Sequence, residues 1–323
     1  MSKYAKLRSS GMMPTVGFGT WQTKGDELKQ ALNAALEAGY RHFDTATAYE
    51  NEEEIGEVLN EWMSSGRVKR EELFIVTKLP PFGMRPSGVH RFLNESLRKL
   101  QLDYLDLYYM HCPFGFREGD EMYPHADDGS IVLDMNTDHV AIWKTMEEYV
   151  KKGVLKAIGV SNFNARQLQR VYENAEIKPS TLQVELHLYN QQKELVDLCQ
   201  EKGMSVTAYS PLGSKGSNFL KDRKSDLPPM SSHPVVLQIA ETLGKSTSQV
   251  LLRYIVQKGI TVIPKSTTPS HIQENIQIYD MELTDDMMSQ LAELDQGEAG
   301  RLLRFDFFKG VKTHPEYPFP TNE

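Results

Sequence analysis

Between residues 15 and 263, short runs of apolar and β-branched residues alternate with longer windows whose apolar residues recur every three or four positions. The runs predict strands at 15–19, 41–44, 73–77, 105–110, 155–160, 182–185, 205–209 and 261–263. The windows predict helices at 26–38, 52–64, 87–100, 138–151, 165–174, 192–202 and 234–243. In the first window Leu28, Ala31, Leu32, Ala35, Leu36 and Gly39 fall on one stripe. Gly39, Gly153 and Gly203 each stand just past a helical window, where a left-handed cap is wanted.

Eight strands separated by helices pair in parallel through crossovers, and eight such units close a barrel. The pattern therefore predicts an α/β fold, a (β/α)8 TIM barrel. The competitor is an open doubly wound sheet, which usually shows a GxGxxG turn after its first strand. Here Gly17-Phe18-Gly19-Thr20-Trp21 follows that strand and the third glycine is missing. No linker, low-complexity segment or further repeat divides the chain, so one domain over 1–323 is expected. Two stretches, 112–137 and 213–233, exceed ordinary βα loops and would stand over the C-terminal face of a barrel, where active sites form. The tail, 297–323, carries Phe305, Phe307, Phe308, Tyr317 and Phe319, and is expected to pack over an apolar surface of that face.

Composition narrows the function. The net charge is −8 and the run 221–224 is broken by Asp222, so a nucleic-acid surface is not expected. Cys112 and Cys199 stand far apart and outside any CxxC pair, which fits reduced thiols in a cytosol. Residues 1–11 lack the apolar core of a signal peptide, and no run approaches the roughly 18 apolar residues of a membrane span. A soluble, cytoplasmic protein without membrane or nucleic-acid partners is expected.

The chemistry sits at the strand ends. The second strand ends His42-Phe43-Asp44, the third Val76-Thr77-Lys78 and the fourth Tyr108-Tyr109-Met110-His111, with Tyr49 just past the second. Singly, each has an ordinary reading: a capping Asp, a solvated Lys, a His satisfied by a backbone carbonyl, a packed Tyr. On one barrel face they form a coherent acid–base set. A carboxylate neutralises a buried ammonium, the ammonium depresses a neighbouring phenol, and an imidazole orients a substrate oxygen. A metal-dependent hydrolase would need ligands converging from several strand ends. Beyond Asp44 and His111 only Glu185 and His187 stand there, and Lys78 would repel a cation.

These residues lie inside longer motifs. The segment Gly39-Tyr40-Arg41-His42-Phe43-Asp44-Thr45-Ala46, with Tyr49 and Asn51-Glu52, resembles the first signature of the aldo-keto reductase family. Ile158-Gly159-Val160-Ser161-Asn162-Phe163-Asn164 resembles its second. Ile263-Pro264-Lys265-Ser266, continued by Ile272-Gln273-Glu274-Asn275, resembles its third. Gln183 and Tyr209-Ser210-Pro211-Leu212-Gly213 also stand where that family has them. The resemblance spans about residues 13–303, and the texture is similar to animal aldose- and aldehyde-reductase-like members, insect 3-dehydroecdysone reductases among them.

The resemblance implies NADPH-dependent reduction of aldehydes and ketones, with hydride passing from nicotinamide C4 to the carbonyl carbon. Tyr49 would be the general acid, Lys78 paired with Asp44 would lower its pKa, and His111 would orient the carbonyl. Ser161, Asn162 and Gln183 would hold the carboxamide and Tyr209 would stack on the nicotinamide. Gly19, Thr20, Trp21, Asp44, Ser210, Leu212, Gly213, Ser214, Lys265, Ser266, Thr267, His271, Glu274 and Asn275 would complete an NADP(H) site. A hairpin within 4–16 would cap the barrel, and a monomer is expected. His271 stands where the family commonly has Arg, so Lys265 would carry the preference for NADPH over NADH, more narrowly than with Arg. Trp21, Tyr49, Pro80, His111, Cys112 and Phe114 would line the substrate pocket. Pro80 and Cys112 replace larger walls, which implies a wider mouth, partly refilled by Phe114, Phe116 and the tail. Hydrophobic or steroid-like carbonyl compounds fit such walls better than free sugars, and Cys112 reads as an unexceptional pocket thiol. The alternative is a cofactor-binding regulatory or structural protein on the same scaffold.

Overall fold

The computed structural model of the chain describes residues 2–8, 11–214 and 227–321. The eight expected strands form one parallel sheet. They are β3 (Phe18–Gly19), β4 (His42–Asp44), β5 (Phe74–Leu79), β6 (Leu107–Met110), β9 (Ile158–Ser161), β10 (Thr181–Glu185), β11 (Ser205–Tyr209) and β12 (Thr261–Val262), hydrogen-bonded in that order. The sheet closes on itself. Val16 bridges Val262 in parallel, Gly17 N–H donates to the Val262 carbonyl at 2.8 Å, and Val262 N–H donates to the Thr15 carbonyl at 2.9 Å. The open doubly wound arrangement is thereby excluded.

A hairpin of β1 (Tyr4–Lys6) and β2 (Met12–Pro14) plugs one end. Its Met13, with Leu7, packs on Phe74, Val76, Leu107, Tyr109 and Ala157. Side chains alternate along a strand, so these positions mark the inward set. Two-residue steps from them lead to Lys78 on β5 and to His111 just past β6. Tyr109 spans the interior, its phenol donating to Thr181 Oγ1 at 3.4 Å and Thr207 Oγ1 at 3.5 Å. A side chain at Gly159 would strike its ring at 2.6 Å, so only glycine leaves Tyr109 that room.

Around the strands stand α1 (Gly25–Ala38), α2 (Glu52–Ser64), α3 (Pro86–Leu100), α4 (His139–Lys151), α5 (Ala165–Asn174), α6 (Lys193–Glu201) and α7 (Pro234–Leu243), close to the expected windows. Gly39, Gly153 and Gly203 all adopt positive φ. Three helices beyond the windows follow: α8 (Thr247–Gln257), α9 (Pro269–Ile276) and α10 (Asp285–Ala292). In α8 every residue from Gln249 to Val256 is buried, which removes the polar stripe that would have announced it.

The loop over 112–137 contains an antiparallel pair, β7 (Gly115–Phe116) with β8 (Leu133–Asp134). Of the loop over 213–233, residues 215–226 lie outside the described residues. The tail packs as expected: Phe305 lies edge-on to Phe114 at 5.1 Å between ring centroids and Phe308 edge-on to Phe116 at 4.9 Å. Among the described residues no helix is long and apolar enough to cross a membrane.

Candidate active site

The floor of the site is a buried ion pair. Lys78, wholly buried in β5, donates from Nζ to Asp44 Oδ1 at 2.5 Å and to the Thr45 carbonyl at 2.8 Å. The second carboxylate oxygen of Asp44 accepts from Gln183 Nε2 at 2.7 Å across the barrel. Two buried opposite charges with their remaining lone pairs and protons occupied meet the condition under which such a pair is tolerated. Burial pushes the Lys78 ammonium down, and the Asp44 charge and hydrogen bond oppose that shift.

Over this floor sit four partly exposed rings: Trp21, Tyr49, His111 and Tyr209. Tyr49 is held on a short 3-10 turn, Thr47–Tyr49, and its phenol accepts from Lys78 Nζ at 3.3 Å. His111 meets Tyr49 edge-on at 5.6 Å and Trp21 lies 6.4 Å from it, ring to ring. All four acid–base candidates therefore converge.

The expected depression of the Tyr49 phenol is reversed. Desolvation holds it well above the ordinary tyrosine range, and the Asp44 carboxylate adds to the shift. The physical reason is first the burial of the phenol and second the nearby carboxylate, which is paired with Lys78 at 2.5 Å. Asp44 opposes the Lys78 charge that the phenol would otherwise feel. Desolvation and Lys78 hold the His111 imidazole well below the usual histidine range, so it is neutral at pH 7. Its Nδ1 is buried and has no hydrogen-bond partner among the described residues.

A wall of amides flanks the rings. Asn162, in a left-handed conformation (φ 64°), accepts from the Tyr209 phenol at 2.7 Å through Oδ1. Its Nδ2 donates to the His111 carbonyl at 2.8 Å and to Ser161 Oγ at 3.1 Å. After β11 the chain curls tightly: Ser210, Gly213 and Ser214 all have positive φ, and Gly213 N–H donates to the Ser210 carbonyl at 2.9 Å. Leu212 lies in this curl, half-buried.

Beyond β12 the chain passes close to β3. A side chain on Gly19 would meet the Ile263 carbonyl at 2.7 Å and Lys265 Cβ at 3.7 Å. Thr20 Oγ1 donates to the Asp44 carbonyl at 2.9 Å. Lys265 is exposed and Ser266 and Thr267 are half-exposed, just before the N-terminus of α9. Thr268, the residue before that helix, makes no side-chain cap bond, which leaves N–H groups at the helix start for an anion. His271 is exposed on the first turn of α9, Glu274 accepts from Ser246 Oγ, and Asn275 is buried.

The wider mouth expected from small walls is not found where it was placed. Pro80, Cys112 and Phe114 are all buried, Phe114 completely, with Phe305 of the tail packed on it. Burial also pushes the Cys112 thiol up, far from reactive thiolate chemistry. Among the described residues no group of three or more His, Cys, Asp or Glu side chains is placed to hold a metal ion.

Asn51 carried no role in the sequence, yet it organises the site's edge. Fully buried, it accepts from Thr45 Oγ1 at 2.7 Å and donates to the Thr20 and Thr23 carbonyls at 2.9 and 3.0 Å. It thereby ties the segment bearing Trp21 to the strand end bearing Asp44. Its place beside Tyr49 in the first motif was the only hint.

Comparison with known proteins agrees with this geometry. The profile described as "Aldo/keto reductase family" matches residues 15–296. The chain is 44% identical over 318 residues to "Aldo-keto reductase family 1 member A1" of Homo sapiens, covering 97% of each chain. It is 44% identical over 297 residues to the Cricetulus griseus protein of the same description, covering 92% of this chain and 90% of that one. Among solved structures, "Structure of the Aldose Reductase from Schistosoma japonicum" superposes with a TM-score of 0.89 at 39% identity, covering 99% of each chain.

Proposed function

The chain belongs to the aldo/keto reductase family and is an oxidoreductase of carbonyl compounds, and we propose that Tyr49 delivers the proton to the substrate oxygen. The observation that carries this role is the convergence of Tyr49, Lys78 and His111 over the buried Lys78–Asp44 pair. A phenol held above its ordinary pKa stays protonated through neutral pH and is a proton donor rather than a base in the reductive direction. Neutral His111, partly exposed beside it, hydrogen-bonds and orients the substrate oxygen. Lys78 supports the phenolate oxygen as its proton leaves, because it already donates to that atom.

The residues present fit an extended NADP(H). Ser161, Asn162, Gln183 and Tyr209 would hold the nicotinamide beside Trp21. The curl at Ser210, Leu212, Gly213 and Ser214 and the segment Gly19–Thr20 would hold the pyrophosphate. Lys265, Ser266, Thr267 and His271 at the start of α9 would hold the 2′-phosphate, with Glu274 and Asn275 at the adenine end. When bound, the dinucleotide supplies the hydride. The support is the uncapped helix start beside an exposed lysine, and the left-handed curl between it and the amide wall.

The substrate class we favour is a hydrophobic aldehyde or ketone, steroid-like ones included. Trp21 over the floor, and Tyr123 and Phe307 at 37% and 39% exposure, offer apolar ring faces. The test is loss of NADPH absorbance with an aromatic aldehyde, repeated with Tyr49→Phe. No turnover by the wild type, or full turnover by the variant, overturns the reading.

A further inference from the structure

Glu185 ends β10 two residues beyond Gln183 on the same inward face, and the chemistry at Tyr49 does not use it. Its carboxylate is fully buried. Oε1 accepts from His187 Nε2 at 3.0 Å and from the Leu302 N–H at 2.6 Å, and Oε2 accepts from the Leu303 N–H at 2.7 Å. His187 Nδ1 accepts from the Tyr189 N–H at 3.3 Å, so Nε2 is the proton-bearing nitrogen and the donor to the carboxylate. A buried carboxylate is expensive unless its oxygens are satisfied. Here two of its three donors come from tail backbone 117 and 118 residues further along the chain.

The tail is shaped around this anchor. A side chain on Gly300 would lie 1.9 Å from the Tyr189 carbonyl, so only glycine lets the backbone come this close. Arg301, buried, pairs with Glu298 and lies over the Phe319 ring at 4.3 Å. Phe305 follows in a left-handed conformation (φ 57°), a strained state for a bulky residue that its surroundings must enforce. It stacks on Phe319 at 5.7 Å and meets Phe114 at 5.1 Å. Phe114 belongs to the loop that begins at His111 and Cys112, so the anchor and that loop are joined through one buried aromatic layer.

We propose that Glu185 is a positioning residue that fastens the C-terminal tail over the site, and that through the tail it sets affinity for bulky apolar substrates. Its part concerning substrates rests on the carbonyl-reductase reading above. Lifting the tail strands a buried anion, and the exposed Phe307 ring, which packs on Phe305 at 6.1 Å and which a long substrate would lie against, departs with it. A small aldehyde, which reaches only Tyr49 and His111, is indifferent.

The test uses Glu185→Ala and Glu185→Gln in the full chain. Hydrogen exchange of the Leu302 and Leu303 amides is expected to quicken at least about tenfold in both variants, while β5 and β6 keep their protection. Trypsin cleavage after Arg301 and Arg304 is expected to rise about fivefold or more, because both sit in the released segment. The KM for a long-chain alkenal is expected to rise about tenfold, with kcat and KM for propanal and NADPH affinity within about twofold. Unchanged exchange at 302 and 303, or equal loss on both aldehydes, overturns the proposal. If Glu185→Ala does not fold, the near-isosteric Gln variant decides it. Exchange and cleavage need no turnover, so failure of the carbonyl-reductase reading would be seen separately.

Discussion

The floor and the roof of the site are built differently. The floor is charged and wholly buried: Lys78, Asp44 and Gln183 on β5, β4 and β10, locked by hydrogen bonds of 2.5–2.8 Å between inward strand positions. The roof is aromatic and partly exposed. It is fastened at a few points: Glu185 to 302–303, Glu316 to Arg170 at 2.9 Å on α5, and His314 Nε2 to the Asp134 carbonyl at 2.8 Å. Moving a floor residue breaks ladder, core and charge pair together, whereas the roof is held from outside the strands, by side-chain bonds, ring packing and a backbone bond from Ile131 N–H to the Lys309 carbonyl at 2.9 Å. On the proposed reading, chemistry belongs to the floor and selection among substrates to the roof.

The sharpest break is Lys78→Met. It leaves the Asp44 carboxylate buried without its counter-charge, and about 3–5 kcal/mol of stability should go with it. Thermal unfolding measures the loss, and activity should vanish as well. Next is Tyr49→Phe, which removes the proposed proton donor but not the packing. We expect kcat to fall about 10²–10⁴-fold with little change in Tm. Difference titration of wild type against this variant should show the Tyr49 phenol still protonated at pH 10, since desolvation and Asp44 both raise it. Ionisation near neutrality would return the Lys78 charge to the leading role.

Roof changes should be smaller and selective. Phe305→Ala should raise KM for a long-chain aldehyde about tenfold while sparing propanal, because Phe305 seats the exposed Phe307 ring, 6.1 Å away, that only the long chain would reach. The roof should also answer to acid. Burial pushes Glu185 up, but His187 and the two tail amides more than offset it, and its pKa lies below the ordinary glutamate value. Burial likewise pushes Glu316 up, and Arg170 and Gln167 more than reverse that. A depressed carboxylate contributes stability that is present above its unfolded value, 4.5, and is lost as pH falls through its folded value. Tail amide exchange should therefore hold steady above that pH, after correction for intrinsic rates, and lose protection below it, before β5 and β6 do. The smallest expected effect is His271→Arg, which should raise the preference for NADPH over NADH about three- to tenfold in kcat/KM, because a guanidinium can bind two phosphate oxygens at once and an imidazole cannot.

Much of the floor was legible in the sequence. Strand alternation is local, so Asp44, Lys78 and His111 could be placed at strand ends, and closure of eight strands puts strand ends on one face; Gln183, inside its strand, entered only through the family resemblance. The roof was legible only as aromatic composition. Glu185 and His187 stood out as polar residues at a strand end, but nothing nearby in the chain shows that their partners lie at 302 and 303. The burial of Phe114 escaped for the same reason, since Phe305, which packs on it, is far along the chain.

By itself, then, the sequence determined the order of the elements, the eightfold alternation and the residue types at the strand ends, because those follow from backbone periodicity and turn chemistry. Only the tertiary structure decided the direction of the Tyr49 shift, the partners of Glu185 and the cover over the substrate wall. Each of these depends on burial and on charges brought within a few ångströms from distant parts of the chain, and local periodicity carries no information about such distances.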